Sequence, residues 1–185
     1  MGNVKRLFRT RDLAVTQACV TAFLFLLIPL FHLLDTGPFW LQGLLHGLAA
    51  TLTVLMGCWT FHAAFFRLGK ERGSLTELER LLWLTNGLVL LAIISGNWLY
   101  MGYRSPDGPQ SWLLAHTPAA HNIVMEWKEF VSLFPLPLGV VAGFILRRFG
   151  HNKDAGSVVL LLITILWLCL MIALVTGLGL TTLHL

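Results

Sequence analysis

Five long apolar stretches, at roughly 13–34, 39–66, 81–103, 121–146 and 157–182, leave this chain little choice of fold. Each is near or above the ~20 residues that a helix needs to cross a bilayer. None alternates strictly enough for a barrel strand. With 56% hydrophobic and only 12% charged residues, a soluble domain of 185 residues would lack the polar surface to cover itself. The expectation is an all-α fold, an integral membrane helical bundle of five transmembrane helices in a single domain over 1–185. Its parts are an anchor helix over 13–34, a hairpin over 39–103, an outer loop over 104–120 and a second hairpin over 121–182.

The basic residues orient this bundle. Lys5, Arg6, Arg9 and Arg11 precede the first span, and Arg67, Lys70, Arg72 and Arg80 lie between the second and third. Arg147, Arg148 and Lys153 lie between the fourth and fifth, so eleven of the 13 basic residues share one side. Arg104 stands on the other side, and Lys128 near a membrane mouth. By the positive-inside rule the N-terminus is cytoplasmic and the C-terminus outside. That is the expected topology of a multi-pass protein of a prokaryotic inner (cytoplasmic) membrane. The net charge of +4 is therefore a topology signal. Nucleic acid is not an expected partner, because the basic residues are divided among three short segments.

The first stretch has the basic flank of a signal peptide, but its apolar run is about 22 residues and Asp35-Thr36-Gly37-Pro38 is no small-x-small cleavage site. It reads as an uncleaved anchor. Cys19, Cys58 and Cys169 all fall inside spans and read as buried free thiols, and the absence of C-x-x-C-H excludes covalent haem attachment. The turns "RLGKERGS" and "RRFGHNKDAGS" echo each other. Either a parallel duplication or the common chemistry of cytoplasmic loops accounts for that. In the outer loop, Pro106 to Pro109 make a turn, and "SWLLAH" reads as a short interfacial segment. No Walker loop, Rossmann fingerprint, H-E-x-x-H or G-x-S-x-G is present.

The histidines gather toward the outer side. His32, His46, His116, His121 and His184 are outward in this topology, against His62 and His151 near the cytoplasm. For His32, His116 and His184 a helix end at the interface explains the position. His46 says more. Gly43, His46, Ala50, Thr53 and Gly57 fall within roughly 80° of one another on a helix, a stripe of small residues running inward from an imidazole. Such a stripe leaves room for a flat cofactor, or else serves close helix packing.

On the fourth span, Met125, Lys128, Ser132 and Gly139 share the direction of His121 to within roughly 40°. Two imidazoles on facing helices would supply both axial positions of a haem iron, with Met125 as a substitute ligand. Arg104 and Lys128 would neutralise propionates. His62, about 160° from His46, does not support a second haem.

On "LLHGLAATLTVLMG" and "HNIVMEWKE", within residues 40–146, the chain resembles the small membrane b-type cytochromes. That resemblance implies non-covalent haem b held by His46 and His121, electron transfer, and involvement of quinone. The lipid bilayer and other membrane or periplasmic redox subunits are the implied partners.

Glu126, Lys128 and Glu129 open the fourth span. Either the bilayer core begins only at Phe130, or these charges point into the bundle at the depth of His46. In the second case a carboxylate, Glu129 before Glu126, would take a proton from a quinol headgroup. Asn97 shares a face of the third span with Asn86, about 20° away, and stands close enough to the outer cluster to bond a histidine or ligand. Pro29, Pro135 and Pro137 mark kinks. The leading expectation is a membrane haem-b electron-transfer protein or redox subunit. The alternatives are an outward copper site built from His32, His46, Met125, His121 and Glu129, and a scaffold subunit without a cofactor.

Overall fold

The computed structural model describes residues 10–34, 37, 39–69 and 74–183, without the side chains of 10–13 and 32. Lys5, Arg6, Arg9, Lys70, Arg72 and His184, and the side chains of Arg11 and His32, lie outside the described residues. Among those described, all regular structure is helical. Helix α1 spans Thr10–Leu30 and ends in a 3-10 turn, Phe31–Leu34; α2 spans Trp40–Ala64 and widens into a π turn, Phe65–Gly69. Helix α3 is Leu75–Tyr103 and α4 is the short Pro109–His116. A π-helical segment, Ala120–Met125, leads into α5, Glu126–Leu133; α6 is Pro135–Phe149 and α7 is Lys153–Thr181.

Four helical runs are long and apolar enough to cross a membrane: Trp40–Gly69, Leu75–Tyr103, Ala120–Phe149 and Lys153–Thr181. The chain is a helical membrane protein. The first of the five expected spans is shorter than the others. Helix α1 has 21 residues and stops just after Pro29, and the rest of the apolar run is a 3-10 turn. The third span begins six residues before its apolar run, since "LTELER" continues the helix beyond the greasy segment.

Two antiparallel hairpins, α2/α3 and α6/α7, pack side by side, with α2 also on α7 and α3 on α6, and these four helices close a ring. Among the described residues, helix α1 packs chiefly on α2. In lipid, apolar side chains gain nothing by turning inward, so close approach rests on small residues. Leu170 fills the space beside Gly57, where a Cβ would come within 2.5 Å of its Cδ1. Gly139 is pressed against the Asn86 amide and Leu166, and Gly143 against the Trp83 ring. Two buried hydroxyls satisfy each other across α2 and α3. Thr60 and Thr85 bond each other at 2.8 Å, and Thr85 also donates to the Leu81 carbonyl. At the start of α7 the Asn152 side chain accepts from the N–H groups of Asp154 and Ala155, an N-cap that marks the end of the basic turn.

We call the end carrying the two basic turns the lower end, and the end carrying α4 the upper end. The three cysteines are free, as expected, but Cys19 and Cys58 face outward rather than inward. On a lipid-facing helix surface an apolar thiol has no reason to be buried.

Candidate functional site

The polar residues singled out in the sequence converge on the upper end, in two adjacent groups. His46 stands two turns into α2, where the antiparallel pairing brings it against Ala92–Gly96 of α3. Its Nδ1 lies 3.2 Å from the Ala92 carbonyl oxygen and 3.4 Å from Ser95 Oγ. A carbonyl only accepts, so Nδ1 carries the proton and Nε2 is left as a base. The ring sits on Gly96, where a Cβ would approach its Cε1 to 3.0 Å. Glycine at that position is what lets the imidazole reach the α3 backbone.

His121 belongs to the second group and is 5% exposed. Its Nδ1 is 2.8 Å from the Tyr103 hydroxyl and its Nε2 is 3.1 Å from the Gln110 amide nitrogen. The amide donates, so Nε2 accepts and Nδ1–H donates to Tyr103. Glu126 Oε1 stands 3.9 Å from the same Nε2. Tyr100 and Tyr103 stack with ring centroids 5.3 Å apart. Arg104 Nη2 donates to the Tyr100 hydroxyl at 2.8 Å, and its guanidinium lies over that ring at 4.5 Å. The phenol contact raises the Arg104 pKa above its already high value, so this charge is constant at any working pH.

Glu129 is half-buried in the first turn of α5. Lys128 is half-buried, turned toward α7, where its Cε would lie 3.6 Å from a Cβ on Gly177. The π segment explains why His121 and Lys128 part company. A π turn takes in about one extra residue, which rotates everything after it by roughly 100° relative to a regular helix.

The remaining expected site residues do not join either group. Asn97 is exposed and donates to the Ile93 carbonyl of its own helix. Thr53 is buried but returns its hydroxyl proton to Ala49. Gly43 is buried in the first turn of α2, Ala50 is half-buried, and Met125 is half-buried at the end of the π segment. The small-residue stripe is occupied by protein, with Leu170 against Gly57 and the His46 ring closed onto α3.

This arrangement does not fit a haem between His46 and His121. The partners of His46 end at Gly96 and those of His121 begin at Tyr103, about 10 Å of helix rise away. Both nitrogens of His121 are engaged, and the His46 ring lies against Gly96 of α3. Among the described residues no three His, Cys, Asp or Glu side chains gather as a metal site. His116 bonds the Trp112 carbonyl and stacks on its ring, 4.5 Å between centroids, as part of α4 alone.

Tyr100, Tyr103, Gln110, Ser95 and Gly177 are the members that sequence reasoning missed. The tyrosines left a signal, since they are the only two in the chain and sit three residues apart at one helix end. Gln110, Ser95 and Gly177 left none. Compared with known proteins, the chain matches no family model, no curated protein and no solved structure.

Proposed function

We propose that this chain is a membrane subunit of a redox assembly whose upper-end cluster binds a quinol headgroup and takes up protons released on its oxidation. The observation that carries this reading is the gathering at one end of His46 with its Nε2 left as a base, Lys128 turned toward α7, and the hydroxyls of Tyr100 and Tyr103 held by Arg104 and His121. Carboxylate and neutral imidazole are the two bases of the cluster, and the ammonium between them offsets the charge of the acid. A quinol hydroxyl would donate to Glu129, and the second to His46 Nε2. On oxidation two protons pass to these bases, and two electrons leave to a centre in a partner subunit. Arg104 and Tyr100 then hold the rim of the site with a fixed charge and a hydroxyl.

In this reading the upper end faces outward and the lower end inward. Arg67, Arg80, Arg147, Arg148 and Lys153 all lie at the lower end, which the positive-inside rule assigns to the cytoplasm of a prokaryotic cell.

Binding of a short-chain quinol to the chain in nanodiscs, followed by tryptophan quenching, tests the proposal. Glu129→Gln and His46→Gln are each expected to weaken binding about tenfold, the worth of one charge-assisted hydrogen bond. Saturable binding unaffected by either change, or no binding to the unmodified chain, would overturn it.

A further inference from the structure

The fourth span is two different objects. Its lower part, α6, buries Pro135, Gly139, Ala142, Gly143 and Leu146 and packs on both α3 and α7. Its upper part, α5, buries no residue at all and is packed along α7 without an extended contact to α3. Between them stands Phe134-Pro135-Leu136-Pro137. Two prolines remove two N–H donors, and Phe134 N–H shifts to the Val131 carbonyl at 3.2 Å. The Leu133 carbonyl loses its helical donor to Pro137. At its other end α5 runs into the π segment. Residues 120–133 are therefore a short arm between two weak joints.

Helix α3 records the same opening. Asn86 and Asn97 point in nearly the same direction, roughly 20° apart. Asn86 is 4% exposed, whereas Asn97 is exposed. One face of one helix passes from the interior of the bundle to its surface within eleven residues because its neighbour has moved off. Along this flank stand the apolar side chains of Ile94, Trp98, Phe130 and Leu133, all exposed. At its top the Tyr103–His121 hydrogen bond bridges α3 to the arm.

We propose that a membrane-dissolved amphiphile with a hydroxyl headgroup reaches Lys128, Glu129 and His46 sideways from the bilayer, between α3 and α5, and that α5 pivots at Phe134–Pro135 to admit it. The α3–α5 flank is apolar where it meets lipid tails, in Ile94, Trp98, Phe130 and Leu133, and hydrogen-bonding at its top, in Tyr103 and His121. That gradient matches an apolar tail carrying a hydroxyl and disfavours a water-soluble solute. The site is the one assigned above to quinol, but the route rests only on an amphiphile reaching it.

Photolabelling in nanodiscs tests the route with a diazirine-tagged fatty alcohol as probe. Label is expected on Ser95, beneath His46, and on Ser132, one turn below Lys128, besides the lipid-facing Ile94 and Phe130. Label confined to Ile94 and Phe130, with Ser95 and Ser132 clean, would overturn lateral access even if quinol binds. Labelling of both serines without quinol binding would overturn the quinol assignment alone. Hydrogen exchange tests the pivot without any ligand. Residues 120–133 should exchange at least tenfold faster than 138–149, and Pro135→Ala/Pro137→Ala, which restores both donors, should slow them. Equal protection of the two segments would remove the pivot.

Discussion

The lower half of the bundle is packed like the interior of a soluble protein, whereas the upper half is an open frame lined with polar groups. Below, Leu78, Leu82, Ile163 and Leu166 are fully buried, and Gly139 and Gly143 bring α6 hard against α3. Above, α5 buries nothing, and the described residues of α7 beyond Leu170 are all at least partly exposed. The polar residues of the upper half are not held apart by packing but bridged by hydrogen bonds. Dense apolar packing and the polar cluster therefore occupy different ends of the same four helices. Dense packing needs small residues and close helices, while a binding site needs side chains left with something still to bond.

The sharpest way to break this contrast is to hollow both halves. Leu166→Ala, at a fully buried position, should cost about 3 kcal/mol of unfolding free energy. Phe130→Ala, at a site 61% exposed, should change it by no more than about 0.5 kcal/mol. Equilibrium unfolding in mixed micelles reads both, and similar costs would mean that the upper half is packed after all. Glycines give a second pair. Gly139→Ala drives a methyl into the Asn86 amide and should cost about 2 kcal/mol. Gly179→Ala, with nothing within 4 Å, should instead stabilise α7 by up to about 1 kcal/mol.

Tyr103→Phe removes one hydrogen bond from His121 and should cost about 1 kcal/mol. The effect should appear in faster hydrogen exchange at 120–125 with little change in the lower half, and a global loss of protection would contradict the separation. The smallest expected effect is the most diagnostic of the dense half. Both polar atoms of Asn86 are buried without a partner. Asn86→Ala should therefore change stability by no more than about 0.5 kcal/mol, because relief of an unpaired amide offsets the packing that is lost. A loss as large as that of Leu166→Ala would show that the amide is satisfied in the membrane.

Much of the frame was legible in the residues. Length and hydropathy are local properties, so four long spans and the short interfacial α4 followed from runs such as "FVSLFPLPLGVVAGFIL" and "SWLLAH". The first span was overestimated because hydropathy continued past Pro29 where the helix did not. His46 was legible as the head of a small-residue stripe, and Lys128 as a charge at the mouth of the fourth span. Their partners were not, because Gly96 and Gly177 matter only once helices far apart in sequence are set in register.

The sequence by itself determined that the chain lives in lipid, where its long apolar helices run, and which turns carry its basic residues, since each of these follows from side-chain chemistry along one helix. Tertiary structure alone decided what those groups meet. A π turn rotated Lys128 away from His121, the docking of α2 on α3 closed the gap beside His46, and two prolines freed α5 from α3. Phase and register are set by how helices pack against one another, and a single helix read alone contains neither.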